Sequence, residues 1–102
     1  MPKYHLTYTG GGPMSDTEEE IAATMKAWED WFAELGGAVV DRGHPLGPSR
    51  TVVADGAVSD GGDVSGYGLI TADDLADAIE KARGCPVLVD GGTVEVGECV
   101  EM

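Results

Sequence analysis

The sequence has few basic residues. Six lysines and arginines stand against 19 aspartates and glutamates, so the net charge is -13. A surface of that sign repels the phosphate backbone of nucleic acids and the headgroups of anionic lipids. We therefore expect neither a nucleic acid nor a membrane as a partner. Such acidity is typical of a strongly solvated surface, and adaptation to high salt is the alternative.

Cysteine and long apolar runs are also scarce. Cys85 and Cys99 are too few for a disulfide scaffold, and no apolar run approaches the ~20 residues that cross a bilayer. We expect a cytoplasmic protein in which both cysteines are small buried hydrophobic residues, with a disulfide between them as the less favoured alternative. The 102 residues, 42% of them hydrophobic, are predicted to form one folded domain, residues 1–102.

The first half of the chain shows one strand pattern and one strong helix pattern. Alternation predicts a strand from Lys3 to Thr9. Ser15 and Glu18 have the spacing of a capping box, so a helix is predicted to begin there and to end at Gly36 and Gly37. Its apolar stripe has steps of four, three, four and three residues and consists of Ile21, Met25, Trp28, Phe32 and Leu35.

The second half repeats the pattern of strand, capped helix and strand. A hairpin is predicted around Asp55-Gly56, after a short strand at residues 38–41, and a further strand at residues 66–71. Thr71 and Asp74 have capping spacing before a second helix with an Asp77–Lys81 pair. Its apolar stripe is Leu75, Ala78, Ile79 and Ala82. The chain is predicted to close with a strand at residues 93–100, preceded by a possible short strand at residues 86–89.

This order predicts an α+β fold with two helices and about five strands. Two helices on one face of an antiparallel sheet, as in a ferredoxin-like split β-α-β sandwich with an inserted hairpin, satisfy the short connections. The other face of the sheet is then uncovered. Because apolar and aromatic residues occur at both parities in several strands, we expect a second subunit to cover that face in a homodimer.

Several segments, in this order along the chain, resemble the YCII-related family, and within it the branch named for an Asp-Gly-Pro-Phe (DGPF) motif. These are residues 28–41, Leu46-Gly47-Pro48-Ser49, Val58-Ser59-Asp60-Gly61, Gly66-Tyr67, Gly84-Cys85-Pro86 and Gly92-Thr93-Val94-Glu95-Val96. The resemblance covers nearly the whole chain and implies a dimeric α/β barrel. The naming motif is reduced here to Asp60-Gly61-Gly62-Asp63, and no histidine stands on the first helix, so the acid and base pair proposed for some relatives is not transferred.

Only two residues, His5 and His44, suit proton transfer near neutral pH. His44 lies between Gly43 and Pro45, close to Asp41. We predict that His44, with Asp41 or Asp60, is the general base if the protein is an enzyme. An exposed loop position is the alternative for His44, and a structural position is the alternative for His5.

Ligand contacts are predicted at Tyr67, Arg50, Trp31 and His5. Trp31 lies one position off the apolar stripe, so it is expected to face a partner or a ligand. The glycine run at residues 10–12 lacks the lysine of a P-loop, and the loop acids lack the spacing of a calcium site. No cysteine or histidine cluster indicates zinc. We expect no cofactor and no metal.

Two hypotheses follow for function. The first is an enzyme-like homodimer with a small substrate in a cleft between the subunits. The second is a non-catalytic module that binds a small molecule, or regulates a partner protein through its acidic surface. The family's frequent genetic association with alternative sigma factors favours the second hypothesis.

Overall fold

A computed structural model describes residues 1–10, 17–89 and 91–100. They contain six strands and two α-helices in the predicted order, and one turn of 3₁₀ helix follows each α-helix, at Gly36–Ala38 and Pro86–Leu88. The elements are β1 (Lys3–Thr9), α1 (Glu18–Leu35), β2 (Val39–Asp41), β3 (Arg50–Val52), β4 (Val58–Asp60), β5 (Val64–Thr71), α2 (Leu75–Ala82) and β6 (Thr93–Glu98). The predicted strand at residues 86–89 is wrong, because Pro86 begins one of the 3₁₀ turns instead.

Four strands form one antiparallel sheet in the order β2-β5-β1-β6, and β3 and β4 form a separate two-stranded sheet. The predicted α+β class is therefore confirmed. The hairpin turn at Asp55-Gly56 is confirmed as well. Gly56 has a φ of 89°, and the Asp55 carboxylate accepts a hydrogen bond from the Ala57 amide at 2.8 Å.

The core lies between the helices and one face of the sheet. The alternation predicted for β1 is confirmed, because Tyr4, Leu6 and Tyr8 are at most 5% exposed while His5 is exposed. The buried cluster consists of Tyr4, Leu6, Tyr8, Trp31, Ile70, Ala72, Ala78, Ala82, Cys85 and Val87. We call this side of the sheet the covered face, and the opposite side the uncovered face.

The N-cap of helix α1 lies two residues after the predicted one. Thr17 is the N-cap, and its hydroxyl accepts a hydrogen bond from the Glu20 amide at 3.2 Å. The predicted cap, Ser15, and most of the preceding glycine run lie outside the described residues. Gly36, with a φ of 57°, ends the helix as predicted.

The apolar stripe predicted for α1 is correct only in its C-terminal half. Trp28 and Phe32 are half-buried, but Ile21 is 38% and Met25 65% exposed. Trp31, predicted to face outward, is 3% exposed and donates a hydrogen bond from Nε1 to the Lys81 carbonyl at 3.2 Å. Helix α1 packs on α2 through this indole, so the buried face of α1 is rotated relative to the predicted stripe.

The capping residue of α2 is Asp74 rather than Thr71. The Asp74 carboxylate accepts from the Asp77 amide at 2.8 Å, and the Asp77 carboxylate accepts from the Asp73 amide at 2.9 Å. Thr71 is the last residue of β5. The predicted Asp77–Lys81 ion pair is present at 2.7 Å. Among the described residues, none of the helices has the length and hydropathy to span a bilayer.

Candidate functional site

The uncovered face of the sheet carries His5 and Tyr67, two of the residues predicted to act. The register pairs His5 with Leu69, Thr7 with Tyr67 and Lys3 with Thr71 across β1 and β5, and β6 adds Glu95 beside Thr7. Successive strand residues point to opposite faces, so these side chains lie on the side away from the helices. Tyr67 and Leu69 are half-buried there.

Tyr67 lies between the two histidines of the chain. Its ring is parallel to that of His5, with an interplanar angle of 3° and a centroid separation of 6.1 Å. The His44 ring is 6.3 Å from the Tyr67 ring at 57°. The Thr7 hydroxyl is 3.1 Å from Nδ1 of His5, within hydrogen-bond distance. We call His5, Tyr67 and His44 the aromatic cluster.

The position of His44 depends on a continuation of β2 along the edge of β5. Pro45 forms a bridge with Gly66, and the Leu46 amide donates to the Ser65 carbonyl at 2.9 Å. Gly43 has a φ of 69°, and a Cβ at this position would overlap the Tyr67 carbonyl. Only glycine therefore lets the segment run this close to β5 and bring His44 to the Tyr67 ring.

Arg42 attaches the same segment to helix α1. Its guanidinium is 2.7 Å from the Glu29 carboxylate and 4.6 Å from the centroid of the Phe32 ring. The ion pair is exposed, so each contact is individually weak. Together they hold the backbone that leads into Gly43, since Asp41 also accepts a hydrogen bond from the Gly43 amide at 2.8 Å.

The structure does not place a carboxylate from the predicted pairs against His44. Asp41 turns its Oδ1 to the Gly43 amide, and Asp60 lies on β4 in the separate hairpin. Among the described residues, His44 is exposed and has no hydrogen bond or ion pair to a carboxylate. The role of His44 as a general base with Asp41 or Asp60 stays a prediction.

The remaining predicted ligand contacts lie away from the aromatic cluster. Arg50 is on β3 of the hairpin, where its Nε donates to the Ser59 carbonyl at 3.2 Å. Trp31 is in the core, which corrects the expectation that it faces a partner. The cluster is therefore built from three of the predicted residues, His5, His44 and Tyr67.

Burial makes Cys85 unsuited to act as a nucleophile. Both are free, and only Cys85 is buried, so the expectation that Cys99 is buried is wrong. Burial raises the pKa of the Cys85 thiol to about 11, which keeps it protonated at neutral pH. Within residues 1–10, 17–89 and 91–100, no group of three or more metal-ligating side chains is brought together.

Two grooves lie beside the helices rather than at the aromatic cluster. One, of about 400 Å³, runs between α2 and β6 and is lined by Leu75, Ile79, Leu88, Val94 and Val96, among others. Another, of about 340 Å³, lies between α1 and β2 beside Phe32 and Arg42. In this single chain the aromatic cluster lies on an open surface.

Sequence reasoning missed Thr7, Leu69, Lys3 and Glu95 as neighbours of the cluster. The alternation of side chains within each strand could have indicated that these residues share a face with His5 or Tyr67. The register between the strands, which brings them together, could not be read from the sequence.

Comparison with known proteins adds no further assignment. The sequence matches no model of a protein family, and no curated protein is significantly similar to it. The resemblance to YCII-related proteins stays a prediction.

Proposed function

We propose that the protein is a homodimeric binding module that holds a small molecule against the uncovered face of its sheet. The observation that carries this proposal is the position of Tyr67 between both histidines of the chain, at 6.1 and 6.3 Å. The face also presents the hydroxyl of Thr7 beside His5. These groups donate and accept hydrogen bonds next to a flat aromatic surface.

The strand order supports a ferredoxin-like fold for this module. Without the hairpin, the elements run strand, helix, strand, strand, helix, strand, and the sheet order β2-β5-β1-β6 places the first and third of these strands at the centre. This order is the one expected for a split β-α-β sandwich and supports that proposal. We further propose that the chain is a YCII-related protein, in which two such sheets face each other in a dimeric α/β barrel.

The shape of the single chain supports a second copy on the uncovered face. The molecule measures 44 × 42 × 19 Å and has a radius of gyration of 14.9 Å, whereas a compact chain of 100 residues has about 13 Å. The thin dimension reflects one layer of helices on one layer of sheet. Stacking a second sheet on the half-buried Tyr67 and Leu69 would bury their apolar surface and enclose the aromatic cluster.

The chemistry of the cluster indicates a planar, polar ligand. Offset stacking on Tyr67 and His5 favours a flat ring, and the imidazoles and the phenol supply hydrogen bonds at its rim. Glu95 and Lys3 flank the cluster on the same face, one acidic and one basic. Binding of this kind requires no proton transfer, so the proposal stands without a carboxylate partner for His44.

A thermal-shift screen with small aromatic and heteroaromatic metabolites tests the proposal. We expect a compound that raises the melting temperature of the wild type and has a smaller effect on Tyr67→Leu and His44→Ala. Arg83→Ala is the matched control, because Arg83 is an exposed side chain of the helical layer. Equal shifts in the wild type and in both cluster variants would contradict binding at this site.

The oligomeric part of the proposal has its own measurement. Sedimentation velocity should show a dimer at micromolar concentration that dissociates in Leu69→Glu, because a carboxylate would be buried between the two sheets. A monomeric wild type over this range would overturn the dimer. Ligand shifts that persist in a monomer would retain the site and remove the partner from it.

A further inference from the structure

The hairpin formed by β3 and β4 lies outside the core. All six of its strand residues are exposed, and Val52 and Val58, which pair with each other, are 69% and 55% exposed. An isolated two-stranded hairpin is only marginally stable in water, because one pair of strands buries little apolar surface. This hairpin therefore presents a valine pair that nothing in the described part of the chain covers.

One face of the hairpin combines these valines with two opposite charges. The register pairs Arg50 with Asp60 and Val52 with Val58. Residues two apart on a strand share a face, so all four side chains lie on the same side of the hairpin. We call them the hairpin patch. Arg50 donates its Nε to the Ser59 carbonyl, and no salt bridge joins Arg50 to Asp60 among the described residues.

The base of the hairpin is held closed. A Cβ at Gly61 would overlap the Ser49 backbone, so the residues that flank the two strands are in close contact. At the other end, the Val53 amide donates to the Ala57 carbonyl at 2.9 Å, and the Gly56 amide donates to the Val53 carbonyl at 2.9 Å. The patch is thus presented on a defined backbone.

We propose that the hairpin patch is a two-fold contact between two copies of this chain. In an isologous interface, residue i meets residue j of the partner, and residue j meets residue i. Arg50 of each copy then meets Asp60 of the other, and the valine pairs pack against each other beside the two ion pairs. The patch carries both members of each contact, so it is complementary to itself.

The charges of the patch favour a second copy over another partner. A basic partner would place a like charge against Arg50, and an acidic partner would place one against Asp60. A second copy gives each residue a partner of opposite charge. The remainder of the molecule is strongly acidic, with a net charge of -13, so two copies repel each other in general. Paired charges at the patch offset that repulsion locally.

The contact is distinct from the sheet-to-sheet dimer proposed above and does not rest on it. A patch of four side chains is much smaller than the ~800 Å² per partner of a standard interface. We therefore expect weak association through the hairpins, which adds to any other interface of the assembly.

Charge reversal with rescue tests the inference by sedimentation velocity. Arg50→Glu and Asp60→Arg should each weaken self-association roughly tenfold, because each replaces two attractions by two repulsions. An equimolar mixture of the two variants should associate at least as strongly as the wild type. Misfolded variants would not rescue each other. Arg83→Glu and Glu80→Arg are the matched controls, since they make the same changes of net charge at the C-terminal end of α2 and should not show rescue.

Two outcomes would overturn the contact. One is self-association of both hairpin variants with the wild-type constant. The other is a loss of association that the mixture does not restore. Leu69→Glu separates the contact from the proposed dimer, because it disrupts the uncovered face and leaves the rescue between hairpin variants intact. A failure of rescue together with a dimer sensitive to Leu69→Glu would reject the hairpin contact alone.

Discussion

The two faces of the sheet are formed by the same strands but differ in the burial of their side chains. On the covered face, Leu6 and Ile70 are at most 1% exposed and pack under the helices. On the uncovered face, the neighbouring positions carry His5, Tyr67 and Leu69, side chains that are exposed or half-buried. Strand alternation therefore separates the surface that packs under the helices from the surface that we propose to bind a ligand, and a single residue step along a strand moves a side chain from one to the other.

The largest expected difference between the faces is in folding stability. Leu6→Ala should lower the free energy of unfolding by about 3 kcal/mol, because it leaves a cavity beneath the helices. Leu69→Ala should cost less than about 1 kcal/mol at low protein concentration, and its cost should grow as the concentration rises and the uncovered face becomes buried. Urea unfolding at two concentrations measures both. Losses of unfolding free energy that are equal for the two variants and independent of protein concentration would contradict this difference between the faces.

The edge of the uncovered face should be the next most sensitive position. Gly43→Ala introduces a Cβ at a positive φ and against the Tyr67 carbonyl, so we expect a loss of about 2 kcal/mol. The segment should also leave β5 and take His44 with it, which the imidazole resonances of an NMR spectrum would show. Gly47→Ala is the control, because a Cβ there meets nothing within 4 Å. Equal effects of the two substitutions would contradict this account.

A buried polar atom on the covered face gives a smaller effect of opposite sign. Tyr8 Oη is buried and has no hydrogen-bond partner among the described residues, and burial raises the pKa of this phenol. Tyr8→Phe should therefore leave stability unchanged or raise it by up to about 1 kcal/mol. Tyr67→Phe on the uncovered face is the comparison and should leave stability unchanged. A clear destabilisation by Tyr8→Phe would show that the hydroxyl has a partner.

The smallest effect concerns the helix that covers the sheet. The hydrogen bond from Lys81, followed by that from the Asp73 amide, holds the pKa of Asp77 below its ordinary value of 3.8. A lowered pKa means that the carboxylate stabilises the folded state above pH 3.8, and that acid removes this contribution as the pH falls through the folded value. In Asp77→Asn the free energy of unfolding should fall less steeply as the pH decreases through this range. Urea unfolding at successive pH values measures this slope. An unchanged pH profile would contradict the assignment.

Local patterns predicted most of the fold. The alternation of Tyr4, Leu6 and Tyr8 was sufficient for β1, and Gly36 for the end of α1, because each depends on neighbouring residues alone. The face of α1 was not predictable in the same way. Ile21 and Met25 belong to a regular stripe, but the core reaches only the C-terminal half of the helix, and Trp31 packs on α2 through a contact 50 residues away.

The candidate site was predictable as residues but not as an arrangement. His5, His44 and Tyr67 are recognisable individually, since the chain has so few histidines and aromatic side chains. Their meeting depends on the register between β1 and β5 and on the close approach of Gly43 to β5. Both are long-range features that the sequence pattern does not encode. Thr71 and Asp74 show the same limit locally, because either residue type caps a helix.

The packing around Tyr8 connects the uncovered face to the two tryptophans of the covered face, so tryptophan fluorescence can detect changes at the uncovered face. Tyr8 lies under the glycines of β5, where a Cβ at Gly68 would come within 2.9 Å of its oxygen, and its ring is 5.0 Å from that of Trp28. Trp28 in turn is 5.7 Å from Trp31, the other tryptophan of the chain. A ligand that binds at Tyr67 and displaces β5 would thus change the environment of both indoles. Their intrinsic fluorescence would then measure ligand binding without a label.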